Sequence, residues 1–401
     1  MTTANGVGLL RGGVAEPQRA TFLELFFDLV FVFALTRVSQ RLMEDLTGGR
    51  QMVLPAVGQT TLLLLALWLV WTNAAWVTSR YDPRRLPVQL IMIGLMFASM
   101  IMALGVSGAW DDRGLIFAVA YVVAQVGRPA AFLLVLRGRE RRIPARLVCW
   151  HSATGGLWIV GALVPEAPVG GALWTLALAI EYAGLVLGWP TPGLGRSPIT
   201  RLAIASEHLA ERYGQFVLVA LGESILLTGV TFDGGRFGVG QTTAFVVAFA
   251  TTVLLWRIYF FGSRRVIPRA MTAGPGAEAR IGAVGGYGHL AMVAGILATA
   301  VGYELVIRHP SGHLDPAWLG VILGGPALFL AGGGMIEYYT LRRPHWSMVA
   351  GLVVLIALAP VVALGPPLAA AVVAVAALAG IAVADAIRPP ATPRAEVPPP
   401  S

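Results

Sequence analysis

Twelve apolar stretches, each about twenty residues long and parted by short polar connections, decide what this chain can become. A helix needs about 20 apolar residues to cross a hydrocarbon layer of roughly 30 Å. Any other open backbone would leave N–H and C=O groups unpaired in lipid. Composition removes the soluble alternative, because 56% of the 401 residues are hydrophobic and only 12% are charged. A water-soluble domain of this size has too little polar surface at that ratio to cover its core. The expected fold is therefore all-α, a polytopic membrane bundle of about twelve transmembrane helices.

The spans are expected at about 21–41, 55–78, 87–107, 114–136, 143–164, 168–188, 208–230, 240–262, 283–305, 315–338, 345–364 and 367–387. Only Gly365, Pro366 and Pro367 part the last two, which fits either a tight reversal or a kinked single pass. All 29 basic residues are arginine, and 20 of them fall on one side of the bundle. That side holds Arg80, Arg84 and Arg85, the group from Arg137 to Arg146, and Arg342 and Arg343. The opposite side has five: Arg41, Arg50, Arg113, Arg236 and Arg308. Positive residues stay on the cytoplasmic side, so both termini are expected in the cytoplasm. The same bias accounts for the net charge of +8. It calls for membrane lipids as partners and for no nucleic acid, since no recognition helix or aromatic-basic stripe accompanies it.

Residues 189–207 form one of the longest polar connections and divide the chain into two sets of six spans, 21–188 and 208–387. A cytoplasmic segment, 1–20, precedes them, and a proline-rich tail, 388–401, expected to be disordered, follows. Offset by 187 residues, the opening helices align Glu24 with Glu211, an acid at the cytoplasmic entrance of each. Two six-span halves would share one orientation, as parallel repeats do. The first apolar run carries Glu24 and Asp28 and lacks a small-residue cleavage pattern, so it reads as a retained helix.

Ionisable groups inside spans are costly and mark function by default. Asp28 lies one turn beyond Glu24 on the same face, where two carboxylates repel unless a cation or shared proton intervenes. Glu223 is more informative. It lies about ten residues into its span, near mid-membrane at ~1.5 Å per residue, beyond reach of a helix-end explanation. Its neighbours Gly222 and Ser224 are small enough to admit another helix or water. His208, Glu211 and Arg212 charge the start of the same helix, as an ion-paired cap or as a gate. His289 sits in the ninth span and, unperturbed, titrates near neutrality. Arg128, His151 and Glu181 are further deep groups, and Arg128 is expected to meet one of the acids. Trp71 and Asn73 line a cavity or serve helix packing; Glu304 closes the ninth span.

The run Phe22 to Thr36, Phe-Leu-Glu-Leu-Phe-Phe-Asp-Leu-Val-Phe-Val-Phe-Ala-Leu-Thr, closely resembles the signature of the bacterial low temperature requirement A family. The segment His208 to Ser224 resembles that family's His-x-x-Glu-Arg-x-Gly followed by Leu-Gly-Glu-Ser, with Tyr213 and Gln215 where the family varies. A third likeness runs from His289 to Glu304, with Pro310 after it. It weakens after about residue 345. The resemblance implies a multi-spanning inner-membrane protein, with a name that records growth in the cold and no established substrate.

Several chemistries are absent from the sequence. Without lysine there is no Gly-x-x-x-x-Gly-Lys-Ser/Thr phosphate loop, and His-Glu-x-x-His, Gly-x-Ser-x-Gly and zinc-type Cys/His spacings are missing. Cys149 is alone in the chain, so no disulfide forms within it. No cofactor, metal or catalytic residue is expected. The leading expectation is a secondary transporter or proton-coupled permease moving a small solute or ion, protons included, with Asp28 and Glu223 as coupling acids. Glu24, Glu211 and His289 are its further candidates, supported by Arg128, Glu181, His208, Arg212, Ser224, Trp71, Asn73 and Glu304. An ion channel is the alternative, since Phe26-Phe27-Asp28 faintly resembles the Phe-Ser-Asp motif of lysosomal-type potassium channels, though without the serine. A membrane-embedded lipid-handling enzyme is a third reading.

Overall fold

A computed structural model describes residues 9, 20–48, 53–196, 206–234, 238–263 and 277–387. The tail 388–401, most of the segment 1–20 and the end of the 189–207 connection lie outside them. Twelve helices of 17 residues or more run through the described residues, which contain no β-strand. They are α1 (Phe22–Thr47), α2 (Val53–Arg80), α3 (Leu86–Gly105), α4 (Gly114–Val135), α5 (Arg142–Leu163) and α6 (Ala167–Leu187). There follow α7 (Ser206–Asp233), α8 (Val239–Ile258), α9 (Ala277–Arg308), α10 (Pro316–Leu341), α11 (Trp346–Val362) and α12 (Pro367–Ile387). Nine of these are long and apolar enough to cross a membrane; α1, α5 and the shorter α11 are the exceptions. Large apolar side chains such as Phe22, Phe97, Leu134, Val353 and Ile356 point outward, as lipid-facing residues do and as water-facing ones rarely do in such number.

Local chemistry sets the helix ends. Glu24 Oε2 reaches back to the Thr21 N–H at 2.7 Å and its hydroxyl at 2.9 Å, satisfying groups that open α1. At the far end α1 runs past the expected residue 41 to Thr47, supported by the Arg41–Asp45 pair one turn apart at 3.0 Å. Asp315 caps α10 by accepting from Ala317 N at 2.9 Å, with Pro316 as the first helical residue. Within α4 a π-turn spans Val123–Gly127 just before Arg128-Pro129. Proline has no N–H for the i−4 carbonyl and crowds it, and the wider turn absorbs that conflict.

α1 is central, packed on α2, α3, α7 and α9. The tightest pair is α9 with α10, where glycines at seven-residue spacing face one another. A Cβ on Gly295 would lie 2.6 Å from Phe329 N, and one on Gly332 would lie 2.5 Å from Gly288 O. Such seams let backbones approach where lipid offers no hydrophobic drive for association. α11 and α12 fold back on each other, with Gly351 against Ile381, so the Gly365–Pro367 break is a reversal and not a kink.

Candidate functional site

The parallel helices α1 and α7 meet rung by rung. On the first rung, Glu24 Oε1 stands 3.0 Å from His208 Nε2, and His208 Nδ1 is 2.9 Å from the Ser79 hydroxyl of α2. One turn along, Asp28 and Arg212 form a two-pronged pair: Arg212 Nη1 donates to Oδ2 and Nη2 to Oδ1, both at 2.8 Å. Trp71 Nε1 adds a third donor to Oδ1 at 2.8 Å. All four ionisable side chains are at most 1% exposed. A planar guanidinium matching two carboxylate oxygens is the strong geometry for such a pair. The wall is aromatic, since Trp71 lies 4.3 Å from Phe216 and 5.4 Å from Tyr213 between ring centroids, with Trp68 stacked beside them.

Tyr213 carries the assembly to α9. Its ring stacks on His289 at 4.5 Å, and His289 Nε2 is 2.9 Å from the Tyr259 hydroxyl. His289 Nδ1 faces the Gly285 carbonyl at 2.5 Å, which needs a proton on Nδ1. The neutral ring then accepts at Nε2 from Tyr259.

Glu223 lies elsewhere. It is eleven residues past Arg212 on α7, about 16 Å along the helix. Its side chain is 0% exposed, and the polar group set against its carboxyl is the Ser39 hydroxyl of α1. Ser224 turns away, donating to Leu221 O at 2.9 Å and standing 3.3 Å from Thr252. Glu304, within electrostatic reach of Glu223, is held by Arg308 at 2.7 Å. Asp28, Glu223 and His289 thus do not converge on one point: Asp28 and His289 flank one aromatic cluster, and Glu223 sits about three turns deeper.

A separate buried network occupies α2, α4, α5 and α6. Glu181 Oε1 accepts from Thr154 at 2.6 Å and Oε2 from the Tyr121 hydroxyl. Gln125 donates to Tyr121 at 3.3 Å and accepts from Asn73 at 3.1 Å. His151 Nδ1 is 3.8 Å from Glu181. Arg128 lies within electrostatic reach of Glu181, without a direct ion pair among the described residues. The register of α1 on α7 gives the cation's place at Asp28 to Arg212. Glu211, aligned in sequence with Glu24, is half-buried and without an ion pair among the described residues, so the two acids have different surroundings. Ser39, Tyr121, Gln125, Thr154 and Tyr259 were not singled out from sequence. Tyr121, Gln125 and Arg128 recur at helical spacing on α4, a polar stripe in an apolar span that signals them.

The family model described as bacterial low temperature requirement A protein matches residues 19–383. This chain belongs to that family. It is 37% identical over 356 residues to the uncharacterized protein RA0937 of Rhizobium meliloti (strain 1021), covering 87% of this chain and 84% of that one. No solved structure matches. The match spans both the α1–α7 seam and the α4–α6 network, so the family's extent includes every group described above.

Proposed function

We propose that this family member is a secondary transporter or proton-coupled permease of the inner membrane, with twelve crossings in two six-helix halves and both termini cytoplasmic. The parallel contact of α1 with α7 supports an even number of crossings before α7. Arg80 meets Glu140 at 2.7 Å, joining two loops that the arginine bias places on one side. Leu42, Leu46, Val301, Leu305 and Val321 gather where the other ends of α1, α9 and α10 would lie together.

Glu223 carries the functional reading. A carboxylate that faces a hydroxyl and no cation among the described residues is costly inside a span, and a bound proton or cation would neutralise it. A group that must bind an ion, on a helix opening the second half, is what a coupling site requires. Glu304 and Arg308 continue from it toward the end of α9. Asp28 and Arg212 hold α1 to α7 on the other side of Glu223, and His289 joins that anchor through Tyr213.

A pH jump applied to proteoliposomes on a capacitive sensor tests this without any solute. The wild type should give a transient displacement of charge. Glu223→Gln, with normal folding and insertion, should lose it. An unchanged transient in that variant takes Glu223 out of ion movement and the proposal with it.

A further inference from the structure

The network in the first half contains donors that nothing uses. Arg128 is 5% exposed, and its Nη1 has no hydrogen-bond partner. His151 is 1% exposed, and neither ring nitrogen is hydrogen-bonded. Glu181 supplies a countercharge within electrostatic reach of Arg128, but its oxygens face the Thr154 and Tyr121 hydroxyls. Charge is therefore balanced here while acceptors for the guanidinium are missing. The π-turn of α4 ends at Gly127, directly before Arg128, and such turns recur at functional sites.

We infer that Arg128 and His151 form a buried receptor for the carboxylate of a small organic acid. A guanidinium presents its N–H groups as a planar fork that matches two carboxylate oxygens, which a single spherical anion cannot do. The network continues away from Arg128 into packed aromatic rings, Tyr121 on Trp158 at 4.3 Å and Trp158 on Trp174 at 4.9 Å, so the carboxylate itself is what the free donors select. Trp158 Nε1 is likewise without a partner. The inference rests on the transport proposal only in making that acid the cargo; binding itself is measured separately.

Full-length protein in detergent is titrated with sodium benzoate and sodium acetate at fixed ionic strength, read by tryptophan fluorescence, with sodium chloride as control. Both carboxylates should give a saturable change and chloride none. Arg128→Gln should weaken benzoate at least about tenfold, the loss expected when a charge-assisted fork is removed. His151→Gln, which keeps the fork, should weaken it less. If Arg128→Gln does not fold, Arg128→Lys keeps the charge without the fork and should show the same loss. No saturable response in the wild type, an equal response to chloride, or unchanged affinity in whichever Arg128 variant folds would overturn the inference. Proton movement is not read in this titration, so its failure and that of the pH-jump experiment are distinguishable.

Discussion

Replacing Arg212 with methionine would leave the Asp28 carboxyl buried without its cation, with the Trp71 N–H at 2.8 Å as its remaining donor. Both partners of the pair are at most 1% exposed, so solvent cannot take over the lost contacts. Breaking a buried pair on one side costs about 3–5 kcal/mol, because the survivor is stranded. Asp28→Leu should cost a similar amount, since it strands the guanidinium against an aromatic wall. The double variant Asp28→Leu/Arg212→Met removes both charges and fills the site with apolar atoms. It should lie within about 1 kcal/mol of the wild type, as apolar replacements of buried pairs often do. The assay is reversible unfolding in mixed micelles by titrated dodecyl sulfate, followed by tryptophan fluorescence, for all four proteins. The two single losses should exceed the double loss by at least about 3 kcal/mol. If each single variant costs under about 1 kcal/mol and the two add, the pair is not what joins α1 to α7.

Three further perturbations test the α9–α10 packing and the contacts of His289. Gly295→Val would press a side chain on Phe329 N and Gly325 O, at 2.6 and 2.7 Å from its Cβ, and should cost at least about 1–3 kcal/mol. Gly334→Ala, with open space at its Cβ, should be neutral or slightly stabilising in the same unfolding titration. His289→Phe removes the hydrogen bond between its ring and the Tyr259 hydroxyl at 2.9 Å and should cost about 0.5–1.5 kcal/mol. Adding Tyr259→Phe should recover much of that loss in the same unfolding titration; no recovery means the two groups are not coupled.

The helices were legible because lipid makes a simple demand of sequence, a long apolar run, whatever the run packs against. Their internal partners were not, because a partner depends on the register of one helix on another. Arg128 and Arg212 look alike in sequence, each an arginine within or at the edge of an apolar span. What separates them is spacing: Glu24 and Asp28 are one turn apart, and so are His208 and Arg212. Two acids and two bases at the same interval form a ladder once the helices run parallel, and Asp28 and Arg212 sit 184 residues apart. Glu24 and His208 keep that separation, and so do Ser39 and Glu223. At the first two rungs the register sets acid against base. At the third it sets the Glu223 acid against the Ser39 hydroxyl. A seam needed only to hold two helices together would carry an apolar residue at that third rung, which costs nothing in lipid. Keeping a carboxyl there, facing a group too weak to neutralise it, is what the proposed ion-coupling role of Glu223 calls for.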